Sequence, residues 1–155
     1  MLRLAVALAL AISTAQCAAV RADEFEAYRP ERVLSCVEAA ADDRNALRAC
    51  VGASANPCID EEGESTMAYV LCFSSEAETW RGLMDAAMAR VSAEQTERDP
   101  QRLSRATSAW ETWMETECEY WAWQEGGGSG EQVERASCAL GLTAERAISF
   151  IAAAN

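Results

Sequence analysis

The sequence contains no histidine and no lysine, so its 13 basic residues are all arginines. Histidine and lysine supply the commonest general bases and the amine nucleophiles of enzymes. Paired carboxylates could still support glycoside hydrolysis, but the helical patterns bring no inward-facing acidic pair together. We therefore expect a protein that is not an enzyme.

Basic residues are also outnumbered by 25 acidic residues, which gives a formal net charge of −12. A chain this acidic is a poor partner for nucleic acids and for anionic membrane surfaces. Complementary electric fields raise association rates, so the charge suits a basic partner protein. General solubility explains the same acidity equally well.

The one long apolar run lies at the N-terminus and has the pattern of an export signal. Arg3 precedes an apolar segment from Leu4 to Ala15, and Val20-Arg21-Ala22 resembles a cleavage site. The segment is too short to cross a bilayer comfortably. We expect residues 1–22 to be a signal peptide cleaved after Ala22.

Export would leave residues 23–155 as a single domain in the periplasm or outside the cell, with no membrane insertion. Its 11 arginines and 25 acidic residues carry a formal charge of −14. The alternative is a lipoprotein anchored at Cys17, which Gln16 makes a poor fit. Oligomeric state is not predicted.

Six cysteines would remain after cleavage, and an even number in an exported chain indicates disulfides. We favour Cys36–Cys50, Cys58–Cys72 and Cys118–Cys138, because each pair closes a short loop; the first four cysteines could instead exchange partners. Zinc would need closer cysteine pairs or histidine. The acidic runs Asp42-Asp43 and Asp60-Glu61-Glu62 do not have the spacing of a calcium loop, so we expect no metal or cofactor.

Helical periodicity and cap residues predict an all-α bundle of about four to five helices, with no strand alternation. Pro30 would start the first helix, Asp42 would cap a short second helix to about Val51, and residues 54–63 would form a loop. The longest helix would run from Ser65 or Thr66 to about Thr96. It has an apolar stripe of Phe73, Ala77, Trp80, Met84, Ala87 and Val91.

The last two helices are predicted to start at Pro100 and after Gly130 and to fold into an antiparallel hairpin. Apolar residues predicted to be buried in the first of them are Leu103, Ala106, Trp110, Trp113, Met114 and Trp121. The second carries two apolar stripes, so it should pack on two sides. Its first stripe, expected against the long helix, is Val133, Ala136, Leu140, Ala144, Ala147 and Ile151. Its second stripe, expected against the other hairpin helix, is Cys138, Leu142, Arg146 and Phe150.

The hairpin has a defined register if Cys118 and Cys138 are bonded, because both lie ten residues from Gly128. Trp110 then lies level with Arg146, and Trp113 lies level with Thr143. We interpret Trp110, Thr143 and Arg146 as a structural motif in which a guanidinium packs on an indole. A ligand-binding role for Arg146 is the alternative.

These residues resemble the LprI-like family, small exported domains named for a lysozyme inhibitor. The residues that match this family are Ala109-Trp110, Cys118, Gly127-Gly128-Ser129, Cys138, Leu142-Thr143 and Arg146. The resemblance extends from about Cys36 to Phe150 and is best over residues 63–150. Departures are Trp113-Met114-Glu115, where the family usually has aromatic-Arg-Asp, and Asp85 and Met88, where Asn and Tyr are common.

The candidate contact with a partner is the end of the hairpin. Trp123 lies opposite the predicted apolar face, beside the loop that contains Gly127, Gly128 and Ser129, and an exposed tryptophan is a frequent interface anchor. Packing beneath the loop is the alternative role of Trp123.

Glu117 is predicted to point inward, either as a catalytic acid or, as we favour, as a paired or rim-exposed carboxylate.

The resemblance implies an exported binding protein of the cell envelope that inhibits a lysozyme, a basic protein with an acidic catalytic cleft. A structural or assembly module of the envelope, with no lysozyme-inhibiting activity, is the alternative, because fold does not imply function.

Overall fold

The computed structural model describes residues 27–94 and 100–154, which form six α-helices and contain no strand. The helices are α1 (Pro30–Ala40), α2 (Arg44–Ala49), α3 (Ala55–Glu62), α4 (Thr66–Glu94), α5 (Pro100–Trp123) and α6 (Ser129–Ile151). The prediction of an all-α bundle is confirmed. The predicted signal peptide, its cleavage site, Cys17 and the predicted helix end at Thr96 lie outside the described residues.

The core lies mainly between α4 and α6, the two helices that pack together most extensively. Trp80, Met84 and Ala87 of the predicted α4 stripe are fully buried there. From α6 the buried residues are Ala136, Leu140, Thr143, Ala144, Ala147, Ile148 and Ile151. Helix α6 is apolar on two sides as predicted, because α4 packs on one side and α5 on the other.

Helices α1 and α3 pack on α4, whereas α2 packs on α1 and α6. Two disulfides hold these N-terminal helices. Cys36–Cys50 connects α1 to the end of α2, with 5.7 Å between its Cα atoms, and Cys58–Cys72 connects α3 to α4, with 5.9 Å. These are the pairs that short loop length favours. Asp43, and not Asp42, caps α2, because its Oδ1 accepts hydrogen bonds from the backbone N–H groups of Asn45 and Ala46 at 2.8 and 3.0 Å.

The prediction of a loop over residues 54–63 is wrong, because this segment contains α3. Pro57 lies in the first turn of the helix, where no intrahelical N–H bond is lost. The N-terminus is capped by Glu76 of α4, whose carboxylate accepts hydrogen bonds from the N–H groups of Ser54 and Ala55 at 3.0 and 2.7 Å. A cap supplied from another helix leaves no local sequence signal.

Helix α5 is less buried than predicted. It packs mainly on α6, with Cys118 and Ala122 buried, and it also touches α4 in its first half, where the Thr107 hydroxyl lies 3.7 Å from the Met88 sulfur. Trp113, Trp121 and Ala106 were predicted to be buried and are exposed, whereas Leu103, Trp110 and Met114 are partly buried. The prediction of an aromatic core is therefore wrong for two of the three tryptophans.

Candidate functional site

The hairpin formed by α5 and α6 is held by the Cys118–Cys138 disulfide, whose Cα atoms are 5.4 Å apart. In the register predicted from the sequence, the guanidinium carbon of Arg146 lies over the ring of Trp110, 4.6 Å from its centroid. Thr143 is buried and its hydroxyl donates to the Met114 sulfur at 3.5 Å. Met114 stands where the LprI-like family usually has an arginine, so here that position points into the hairpin.

Arg146 is held by aromatic rings, because Phe150 also lies 5.3 Å from its guanidinium carbon. Its Nε is buried and has no hydrogen-bond partner in the part of the chain that the structure describes. Burial lowers the pKa of the guanidinium, and the negative charge of Glu111 opposes that shift. An arginine nevertheless keeps its charge at any physiological pH.

A groove of about 540 Å³ opens beside Arg146 and is lined by residues of α4, α5 and α6. Its apolar walls include Val91, Trp110, Trp113, Leu142 and Phe150. Glu145 also lines the groove, but its carboxylate makes two hydrogen bonds to Arg48, at 2.7 and 3.0 Å. This pairing lowers the pKa of Glu145.

The loop that joins the two helices has a backbone conformation that favours glycine. Gly126, Gly127 and Gly128 have φ angles of 77°, 89° and 78°, a region that side-chain-bearing residues rarely adopt. The following residue, Ser129, begins α6, two residues before the predicted start after Gly130. The candidate contact residues Trp123, Gly127, Gly128 and Ser129 therefore lie together at this end of the hairpin.

Helix α5 presents a row of aromatic side chains to solvent. Trp113, Tyr120 and Trp123 are 48%, 55% and 72% exposed. Their spacing of seven and three residues places them within about 80° on one side of the helix. We call these three residues the α5 face. Trp121, at 48% exposure, lies on an adjacent flank, with its ring 5.4 Å from that of Tyr120.

The surroundings of the α5 face are acidic. Between residues 106 and 134 the sequence has seven glutamates and no arginine. One of them, Glu117, is partly buried and accepts a hydrogen bond from Trp121 Nε1 at 2.9 Å, so it is a paired carboxylate as favoured from the sequence. Arg135 is the first cation beyond this segment, and it pairs with Glu131 at 3.0 Å.

The described residues contain no group of three or more potential metal ligands and no helix able to span a membrane.

Sequence reasoning missed Glu76, which is buried and accepts four hydrogen bonds. Its signal was a glutamate four residues before Trp80, at the edge of an apolar stripe. Sequence reasoning also missed that Trp113 belongs to an exposed row. The sequence does not show that no second apolar helix covers this side of α5.

A family model described as lysozyme inhibitor LprI matches residues 58–149, more than half of the chain. The match runs from α3 through almost all of α6, so it includes the hairpin, the glycine loop and Arg146. It starts slightly before the expected residue 63 and leaves out the Cys36–Cys50 disulfide. No curated protein and no solved structure matches the chain significantly.

Proposed function

The chain belongs to the LprI family of lysozyme inhibitors, and on this premise we propose that it is an exported binding protein that inhibits a basic lysozyme. The observation that carries the proposal is the α5 face with its adjoining glycine loop. Monomeric proteins rarely leave several large aromatic side chains exposed together unless they bind something.

The chemistry of the α5 face is that of a protein interface. Tryptophan and tyrosine dominate the energetic centres of interfaces, and Trp123 is the most exposed large apolar side chain among the described residues. Three consecutive glycines beside it leave room for another protein to approach the backbone. The aromatic side chains would supply the contact energy.

The charge around the α5 face selects the partner. Of the seven glutamates between residues 106 and 134, Glu111 and Glu131 are paired with arginines, and the others leave a negative field that attracts a basic protein and accelerates its association. Lysozyme is basic overall, whereas its cleft holds two catalytic carboxylates. The described hairpin end offers no unpaired cation to place between them, since Arg135 is bonded to Glu131. Inhibition would therefore work by covering the cleft with aromatic side chains.

Three disulfides suit an oxidising compartment outside the cytoplasm. The signal peptide of residues 1–22 and the single mature domain of residues 23–155 complete this proposal. Neither a cofactor nor catalysis is part of it.

The test is lysozyme activity on cell-wall substrate, titrated with the protein expressed for export from its full chain and purified in oxidised form. We expect inhibition that depends on dose and weakens steeply with salt, because charges attract the two proteins. Trp123→Ala should weaken inhibition by about tenfold or more, as for an interface hot spot. Leu34→Ala removes an exposed apolar side chain from α1 and should leave inhibition unchanged.

A structural or assembly module of the envelope is the second candidate, favoured by Met114 at the position of the family's usual arginine. It predicts no inhibition at any molar excess of the folded protein. Mass spectrometry of the exported protein tests cleavage after Ala22 in the same preparation.

A further inference from the structure

The groove around Arg146, which shares Trp113 with the α5 face, has the composition of a small-molecule site. Its volume of about 540 Å³ lies in the range of ligand pockets, roughly 300–1,000 Å³. Its walls are mostly apolar, and one fixed cation lies among them. We propose that this groove binds a small monocarboxylic acid with an apolar body, whose carboxylate pairs with Arg146. The proposal does not depend on lysozyme inhibition.

The anion is indicated by the bonding of Arg146. No hydrogen bond or ion pair joins Arg146 to another residue in the described ranges. The rings of Trp110 and Phe150 fix its position without using its N–H groups. Nε is buried. The two terminal nitrogens, which have no hydrogen-bond partner among the described residues either, are not fully buried. The terminal edge of the guanidinium is thus available, and that edge matches a carboxylate with two parallel hydrogen bonds.

The neighbouring acidic residues do not fill this role, because each has its own arginine. Glu145 pairs with Arg48, and Glu111 pairs with Arg81 at 3.2 Å. Their charges still contribute to the local field, as the effect of Glu111 on the pKa of Arg146 indicates. A single cation with two acidic neighbours favours a ligand with one negative charge over a dianion such as a phosphate monoester.

The remaining surface of the groove is suited to a hydrocarbon or aromatic body. Leu142, Val91 and Phe150 line it together with the two tryptophans. Ser149 contributes little polarity as a donor, because its hydroxyl donates to the backbone oxygen of Glu145 at 3.0 Å. Apolar area buried against these walls adds affinity to the ion pair.

The experiment uses the exported, oxidised protein and three probes: octanoate, 1-octanol and acetate. Octanol keeps the apolar body without the charge, and acetate keeps the carboxylate without the body. Binding is followed by the NMR shifts of the indole N–H groups of Trp110 and Trp113. We expect saturable shifts with octanoate, and affinities about tenfold weaker or worse for octanol and acetate, as expected for loss of a charge-assisted hydrogen bond or of the buried body.

Arg146→Gln should weaken octanoate binding by about tenfold or more, because it removes the ion pair. Arg135→Gln changes the net charge equally at a distant site and should leave the affinity unchanged within about twofold. Circular dichroism establishes that both variants fold. If Arg146→Gln does not fold, the comparison of octanoate with octanol on the parent protein tests whether the groove selects a carboxylate.

Three results would overturn the proposal: no shift of either indole with octanoate, equal affinity for octanol and octanoate, or equal losses in the two arginine variants. The proposed lysozyme inhibition is unaffected by any of them, since it is measured without these probes.

Discussion

Glu76 has no exposed surface, yet it connects three parts of the chain. Its carboxylate accepts hydrogen bonds from the N–H groups of Gly52, Ser54 and Ala55 at 2.6, 3.0 and 2.7 Å. Trp80 Nε1 donates a fourth at 3.2 Å. A buried carboxylate is tolerated when such donors replace water. Glu76 therefore fixes α3 and the preceding turn against α4.

Glu76→Ala should lower the free energy of unfolding by about 3–5 kcal/mol, because it leaves buried N–H groups without an acceptor. Glu76→Gln keeps the shape of the side chain but presents an NH₂ group to donors, so it should also destabilise. Urea denaturation measures both. Glu78→Ala alters an exposed glutamate on the same helix and should change stability by less than about 0.5 kcal/mol. Equal effects of Glu76→Ala and Glu78→Ala would contradict this role for Glu76.

Tyr28 should titrate late. Burial raises its pKa to about 12, reinforced by Glu76, Glu31 and Glu78 and opposed by its hydrogen bond with Thr79 at 2.6 Å. An unfolded tyrosine has a pKa of about 10. The folded state thus holds the proton more tightly. The contribution of Tyr28 to the free energy of unfolding is fully present below about pH 10 and is lost as the pH rises from about 10 to 12. This loss should be about 1–2 kcal/mol after discounting for partial exposure.

The measurement for Tyr28 is the ultraviolet absorbance titration of phenolate in the parent protein and in Tyr28→Phe. The difference between the two curves isolates Tyr28 and should have its midpoint near pH 12. A midpoint near the unperturbed value of about 10 would show that Tyr28 is not shielded from water.

At the scale of elements, α5 depends most on its disulfide. It packs mainly on α6, and much of its surface is exposed. The double variant Cys118→Ala, Cys138→Ala should cost about 3 kcal/mol in the chain-entropy model. The amide hydrogens of α5 should lose protection from exchange more than those of α4.

The double variant Cys36→Ala, Cys50→Ala is the matched control for this disulfide. It should lower protection in α1 and α2 and leave α5 unchanged, since that disulfide joins α1 to the end of α2. A uniform loss of protection in both variants would mean that the fold opens as one unit.

Replacing glycine by alanine should lower the free energy of unfolding in the loop and raise it in α4. Gly128 has φ of 78° and ψ of −145°, a combination essentially restricted to glycine, and open space at its Cβ position, so Gly128→Ala is strained by the backbone alone and should cost about 1–3 kcal/mol. Gly82 lies within α4, also with open space, so Gly82→Ala should stabilise by about 0.5–1 kcal/mol. Thermal unfolding measures both. Stabilisation by Gly128→Ala would contradict the positive φ angle at this position.

The elements differ in how well the sequence predicts them. Helices α4 and α6 are buried along apolar stripes, so periodicity finds them and assigns their faces. Helix α3 has Asn56-Pro57 in its first turn and a cap supplied by Glu76, so its local sequence resembles a loop. The faces of α5 could not be assigned, because aromatic periodicity does not distinguish a core stripe from a binding stripe. Trp113 is the clearest example.

At the scale of the whole molecule, charge and aromatic side chains have different roles in the candidate site. The negative field around α5 would attract a basic protein from a distance, and it weakens with salt. The α5 face would then supply contacts that the field cannot, because exposed ion pairs add little affinity. The Trp110–Arg146 contact and the disulfide hold this helix in place.

The most direct test of this account is hydrogen exchange of the oxidised protein, measured with and without a basic lysozyme. We predict that new protection is confined to the second half of α5, from about residue 113, and to the glycine loop up to Ser129. Helices α1 to α3 should exchange at unchanged rates. Protection over α1 to α3, or none at saturating lysozyme, would contradict the assignment of the α5 face as the binding surface.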